Sequence, residues 1–249
     1  MLKRFIGYGS VILLLLMVGM GVLPKPAFGQ STIEASIDQD NLNTRGGVRW
    51  GGGNWPYSKV TEVKDSLVGT VVGRVVLDRH GVDRSYMSGF INSPFTSPEP
   101  VKLVFITLWG SNAQGCFAEL LFQYATTSGG DIEEITKSIV PKTLEIGINR
   151  QIVELPAQPF DKSRRFANNY VWERNNRARS GTWYMTRNLF SIDAPVAKVL
   201  SDAPQEEVKA RITFQNDETM TFPIGGNTVA RWKDSFALNP TCSSSANKK

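Results

Sequence analysis

The chain has 249 residues, of which 41% are hydrophobic and 20% charged, and its 28 basic and 23 acidic residues give a formal net charge of +5. This apolar fraction excludes a disordered polyelectrolyte, and two cysteines exclude a disulfide-dense scaffold or a zinc ribbon. The length suits one globular domain behind an N-terminal segment, at roughly 100 to 200 residues per domain.

Lys3 and Arg4 precede a densely apolar run over 11–18, which is followed by Pro24, Lys25 and Pro26. That is the layout of a secretory signal peptide, and the small residues Ala27 and Gly29 place cleavage after position 29. Residues 1–29 are therefore expected to be a signal peptide and the mature chain to be exported, to a periplasm or to the extracellular space. No cysteine lies near the cleavage point, so a lipidated N-terminus is not expected. The alternative is an uncleaved anchor, because 5–23 spans 19 residues, near the roughly 20 that cross a bilayer. That segment is the one membrane contact the sequence suggests. Its removal takes Lys3, Arg4 and Lys25 and no acid, leaving a surplus of +2 that Lys248 and Lys249 account for. The strong global basic field of a nucleic-acid binder is then missing, and nucleic acid is not expected as a partner.

Residues 30–59 are poor in apolar periodicity and rich in glycine, including Gly51, Gly52 and Gly53, and read as a flexible leader in which Trp50 and Trp55 pin the chain to its own domain. A single β-rich domain is expected over 60–240. Residues 67–77 are rich in β-branched side chains and predict a strand, with 78–83 as the following turn. Three prolines make 93–100 a loop. Residues 101–109 are apolar at nearly every position, which predicts a strand buried on both faces. The alternation of Ala118, Leu120, Phe122 and Tyr124 predicts another. Residues 131–139 have helical spacing but run into Pro141, so a loop or a single helical turn is expected.

Residues 143–148 and 151–155 alternate about Asn149 and Arg150 and predict a hairpin with a two-residue turn. A second pairing is expected between 166–172 and 182–192, with Asn175, Asn176, Ser180 and Gly181 in the connection. A short helix over 194–200, a half-wet strand over 208–214 and a returning strand over 219–224 follow. A final helix capped by Asn227 carries Val229, Trp232 and Phe236 on one face. Residues 241–249 are left as a tail. The expected fold is mainly β, an antiparallel sandwich or barrel-like unit with a short C-terminal helix, and α+β is the alternative.

The chemistry is narrow. His80 is the only histidine, so no multi-histidine metal centre can form, and neither a metal nor a cofactor is expected. A hydrolase built on His80 would need Ser66 or Ser85 as nucleophile and Asp78 or Asp83 to orient the ring, or else two scattered carboxylates facing one cleft. The flanks carry no Gly-x-Ser-x-Gly elbow, and an ordinary polar turn accounts for the same residues. Cys116 could act as a nucleophile with His80 as its base. In an exported chain, though, a disulfide between Cys116 and Cys242 is the expected state.

One cluster stands out. Over 160–187 seven cations, namely Lys162, Arg164, Arg165, Arg174, Arg177, Arg179 and Arg187, face only Asp161 and Glu173, a local surplus of +5. Phe166, Tyr170, Trp172, Trp183 and Tyr184 interleave with them. Arginine forks grip carboxylates and phosphates, while aromatic rings offer flat faces to sugars. The expected function is therefore a non-catalytic exported or envelope-associated binding protein. Arg174, Arg177, Arg179, Tyr170, Trp172 and Trp183 are the expected contact residues. Its partner would be an anionic polysaccharide, a lipid headgroup or an envelope protein. An envelope hydrolase is the alternative, and a hairpin whose aromatics are core and whose arginines are solvated is the plainer reading of the same cluster.

Overall fold

The computed structural model describes residues 37–38, 56–83, 102–126, 130–174 and 177–243, and for 170–174 and 177–179 it gives the backbone path. Among the described residues eleven strands form two sheets. The larger is built from β1 (Ile37–Asp38), β2 (Val60–Lys64), β3 (Val71–Asp83), β4 (Lys102–Asn112), β5 (Gly115–Thr126), β8 (Arg164–Arg174) and β9 (Arg177–Ile192), in the order β1-β2-β3-β4-β5-β9-β8. The smaller holds β6 (Pro141–Ile148), β7 (Gln151–Pro156), β10 (Val208–Phe214) and β11 (Thr219–Ile224), in the order β11-β10-β6-β7. Neighbouring strands run antiparallel except β1 and β2. The chain is thus mainly β and sandwich-like.

Alternation decides which side chains meet. Val76, Phe105, Trp109, Leu120, Phe122 and Phe190 point from the large sheet onto Leu144, Ile146, Ala210, Ile212, Phe214 and Phe222 of the small one, and all are buried. Phe105 stacks on Phe222 with ring centroids 4.4 Å apart, and Phe122 packs on Phe214 at 4.8 Å. The opposite, outer face of the large sheet carries a second apolar cluster of Val63, Val75, Leu77, Val104, Ile106, Leu108, Leu121 and Met185. Strands β3 to β5 are therefore buried on both faces, which is why 103–109 reads as a nearly unbroken apolar run.

Short helices close the sandwich: α1 (Ile132–Ser138), α2 (Ala194–Ser201), α3 (Gly226–Val229), α4 (Trp232–Phe236) and α5 (Pro240–Ser243). Trp232 of α4 lies against Trp109 of β4 at 4.9 Å. Cys242 of α5 forms a disulfide with Cys116 of β5, the two Cα atoms being 6.0 Å apart. The tail expected from residue 241 is thus tied to the large sheet at its first turn.

Several elements depart from expectation for local reasons. The strand foreseen from Leu67 begins at Val71, because the Asp65 carboxylate accepts the amides of Leu67 and Val68 and Gly69 adopts φ 68°, making a turn that leaves Leu67 92% exposed. The turn foreseen at 78–83 is strand, since β4 pairs with β3 as far as Asp83↔Lys102. β2 gave no clear signal in the sequence. Residues 132–138 form a helix longer than one turn, capped by Asp131, which accepts the Glu134 amide, and braced by a Glu133–Lys137 ion pair of 2.6 Å. Ser180 and Gly181 belong to β9 and not to the connection. The final helix is divided into two, Gly226–Val229 and Trp232–Phe236, and Gly225 stands at the position foreseen for Asn227 as cap. Asn149 and Arg150 do form the β6–β7 turn without glycine, both left-handed at φ 51° and 64°. Within 30–59, residues 37–38 pair with β2, while Trp50 and Trp55 lie outside the described residues.

Candidate functional site: an arginine and aromatic ribbon

The β8–β9 hairpin forms one edge of the large sheet. β5 pairs with β9 only as far as Thr126↔Thr182, whereas β8 continues with β9 through Tyr170↔Gly181, Val171↔Ser180, Trp172↔Arg179 and Glu173↔Ala178 to Arg174↔Arg177. Among the described residues, five pairs therefore continue past the last β5–β9 pair as a two-stranded ribbon, about 17 Å long at roughly 3.4 Å per residue. Asn175 and Asn176, which join its strands, lie outside the described residues.

Directly opposed residues of an antiparallel ladder share a face, as do alternate residues along each strand. The register therefore gives one face the positions of Arg164, Phe166, Asn168, Tyr170, Trp172 and Arg174 on β8, and those of Arg177, Arg179, Trp183, Met185 and Arg187 on β9. This is the outer face, the side of Met185 and the second apolar cluster. Cations, aromatic rings and an asparagine alternate along β8. In the stretch whose side chains are described, Arg164, Phe166 and Asn168 are exposed, and Trp183 is half-buried against the cluster. The six expected contact residues thus occupy positions on one face of the β8–β9 hairpin.

The local surplus of charge is partly neutralised. Arg187 pairs with Glu119, both nearly buried, their side chains being 12% and 8% exposed. Arg165 lies 5.0 Å over the Phe160 ring and Lys162 stands 4.0 Å from Asp161, contacts that leave the +5 count itself unchanged. Tyr184, counted with the aromatic surface from sequence, points instead into the fold and is 1% exposed. Arg164, by contrast, is exposed on the ribbon face.

A second feature was not foreseen. At the far end of the large sheet from the ribbon, the outer face holds a cavity of about 300 Å³. Among the described residues its walls include Val63, Val75, Leu108, Phe117 and Leu189, and the Glu119–Arg187 pair opens into it. Burial pushes the Arg187 guanidinium down to about 10, which leaves it charged at neutral pH. Glu119 was hidden in the sequence because it sits inside an apolar strand, 68 positions from its partner. The clue was a lone acid in a run of core residues, Ala118 to Phe122.

The residues of the hydrolase alternative are dispersed. His80 lies on β3 with its ring stacked toward Phe105, centroids 6.5 Å apart. The nearby Asp78 carboxylate is engaged elsewhere: it accepts the Thr228 hydroxyl at 2.7 Å and the Gly225 amide at the start of α3. Ser66 is exposed in the β2–β3 turn, Asp83 ends β3, and Ser85 lies outside the described residues. Cys116 is in the disulfide, so it offers no thiolate in this state. Among the described residues no group of three potential metal ligands comes together, and Glu119 is the one carboxylate lining the cavity.

Asp78 gives a pH test of this arrangement. Burial raises its pKa above the ordinary carboxylate value, despite the bonds from Thr228 and Gly225. Folding then favours the protonated form, so the charged carboxylate opposes folding at neutral pH, and that opposition fades as pH falls through the raised pKa. Wild type should therefore gain stability relative to Asp78→Asn as pH is lowered from 7 toward 4, read as the difference in urea midpoints. A difference that moves the other way would show the carboxylate to be held in its charged form.

No family model, curated relative or solved structure matches the chain. The functional reading rests on its own residues and geometry.

Proposed function

We propose that the protein is an exported, non-catalytic binding protein that holds an anionic polysaccharide along the outer face of the β8–β9 hairpin. The observation that carries this reading is the strip itself. Register puts Arg164, Phe166, Asn168, Tyr170, Trp172 and Arg174 in one row, with Arg177, Arg179 and Trp183 beside it, and the described half of the β8 row is exposed. Arginine supplies forked donors for carboxylate or sulfate, asparagine matches hydroxyl pairs, and aromatic faces stack on sugar rings. An extended two-stranded ribbon suits a linear polymer better than a globular ligand.

Export is supported by the charged-then-apolar N-terminus and by the disulfide, a bond that persists in oxidising compartments. No described helix is long and apolar enough to cross a membrane. The test compares the full chain with its Arg174→Ser/Arg177→Ser/Arg179→Ser variant on immobilised alginate. If each arginine contributes about 1 kcal/mol, the triple variant binds about 100-fold more weakly and elutes at lower salt, with its melting temperature unchanged. Equal retention of the two proteins contradicts the proposal. Binding to vesicles of anionic lipid without binding to alginate would reassign the strip to headgroups.

A further inference from the structure

The Glu119–Arg187 pair has no evident value for stability alone. Desolvating two charges offsets most of their attraction, and apolar residues of similar size often do as well or better in such a place. Here the pair sits on the outer sheet face among Leu108, Leu121 and Leu189, diagonal across β5 and β9: Glu119 is opposite Leu189 and Arg187 is opposite Leu121. It also opens into a cavity of about 300 Å³ whose other described walls are mixed, with Val63, Val75, Leu108 and Phe117 on the apolar side and Asn112, Gln114, Gln158 and Ser191 on the polar side. Apolar walls with a few convergent polar groups are the usual make-up of a small-molecule site, and this volume lies at the small end of such sites.

We infer that this cavity binds a small neutral amphiphile through an amide-type head placed against Glu119 and Arg187. The two side chains cancel in charge, so the site favours no net charge on its ligand. A carboxylate that approached the guanidinium would also meet the Glu119 carboxylate, and an ammonium that approached Glu119 would meet Arg187. Such like-charge contacts are costly beside two side chains that are themselves nearly buried. A primary amide carries an N–H donor for the carboxylate beside a C=O acceptor for the guanidinium, so it matches both members at once. Its alkyl part would lie against Val63, Val75, Leu108 and Phe117. This site is separate from the ribbon, and it does not depend on what the ribbon binds.

The experiment is calorimetric titration of the full chain with octanamide, octanoate and octylamine. Octanamide should bind saturably and roughly tenfold or more tightly than either charged analogue. Leu189→Trp, which fills the cavity from a half-buried wall, should abolish octanamide binding while the melting curve stays cooperative. Glu119→Gln leaves Arg187 as the one charged side chain among the described lining residues and should reverse the order, so that octanoate binds better than octanamide. The proposal fails if octanamide does not saturate, if wild type prefers octanoate or octylamine, or if Leu189→Trp binds octanamide as wild type does. It fails also if a folded Glu119→Gln keeps the wild-type order. None of these results bears on alginate binding, so this proposal and the ribbon's stand or fall apart.

Discussion

Glu119→Ala is expected to destabilise the fold by about 3–5 kcal/mol, the largest effect of any single polar substitution considered for this chain. The substitution leaves the Arg187 guanidinium in its place on β9, 12% exposed, beside Leu121 and against the cavity walls, with its carboxylate partner gone. Arginine cannot readily relieve that by losing its proton. Even with burial pushing it down to about 10, it remains charged at pH 7. For a domain of this size the loss corresponds to a fall in melting temperature of roughly 10–15 °C. The paired replacement Glu119→Leu/Arg187→Met should recover most of it, because apolar residues of similar volume need no partner. Thermal melts of the single and double variants read both steps. A double variant no more stable than the single one would show that the pair stabilises the sheet in its own right, and would remove the main reason for assigning it to a ligand.

Removing the disulfide should have an effect of the same order. Cys116 and Cys242 are separated by 126 positions, and a closure of that length restricts the unfolded chain by about 4–5 kcal/mol on a chain-entropy argument. Both cysteines are buried, and Cys242 belongs to the last described helix, so the bond holds α5 against the sheet. Cys116→Ser/Cys242→Ser, or wild type under reductant, should melt roughly 10–15 °C lower. Near-ultraviolet circular dichroism should weaken as well if Trp232 loosens from Trp109, since α4 lies between the bond and the sheet edge in sequence. Equal melting temperatures with and without reductant would contradict this account.

The strands that packing dictates were visible in the residue pattern. β4, β6, β7, β10 and β11 follow from apolar alternation or from runs buried on both faces, and even the glycine-free turn at Asn149 and Arg150 was legible from the alternation around it. One misreading fell where a distant partner overrides local preference, and two where a nearby side chain does. Residues 78–83 look like a polar turn, and they are strand because β4 supplies a complete hydrogen-bonding edge. Leu67 and Val68 look like strand, yet a single Asp65 carboxylate turns the chain there. In the helix over 132–138, the aspartate cap and the Glu133–Lys137 pair outweigh the nearby proline.

The candidate site divides in the same way. A cluster of arginine and aromatic residues in one hairpin is a local signal, so the ribbon could be read from composition. Which face each position takes needed the register, and that separated Tyr184, which is core, from Trp183, which is not. The cavity could not be read at all. It exists because β2, β3, β4, β5 and β9 lie side by side, and because an acid and a base 68 positions apart meet on one face.

The central claim, that the outer strip of the β8–β9 hairpin is the contact surface, is tested most directly by hydrogen–deuterium exchange of the full chain with and without saturating alginate. The account predicts slowed exchange over 164–183, with the cavity strands β2 and β3 unchanged. Protection elsewhere with none over 164–183 would contradict it.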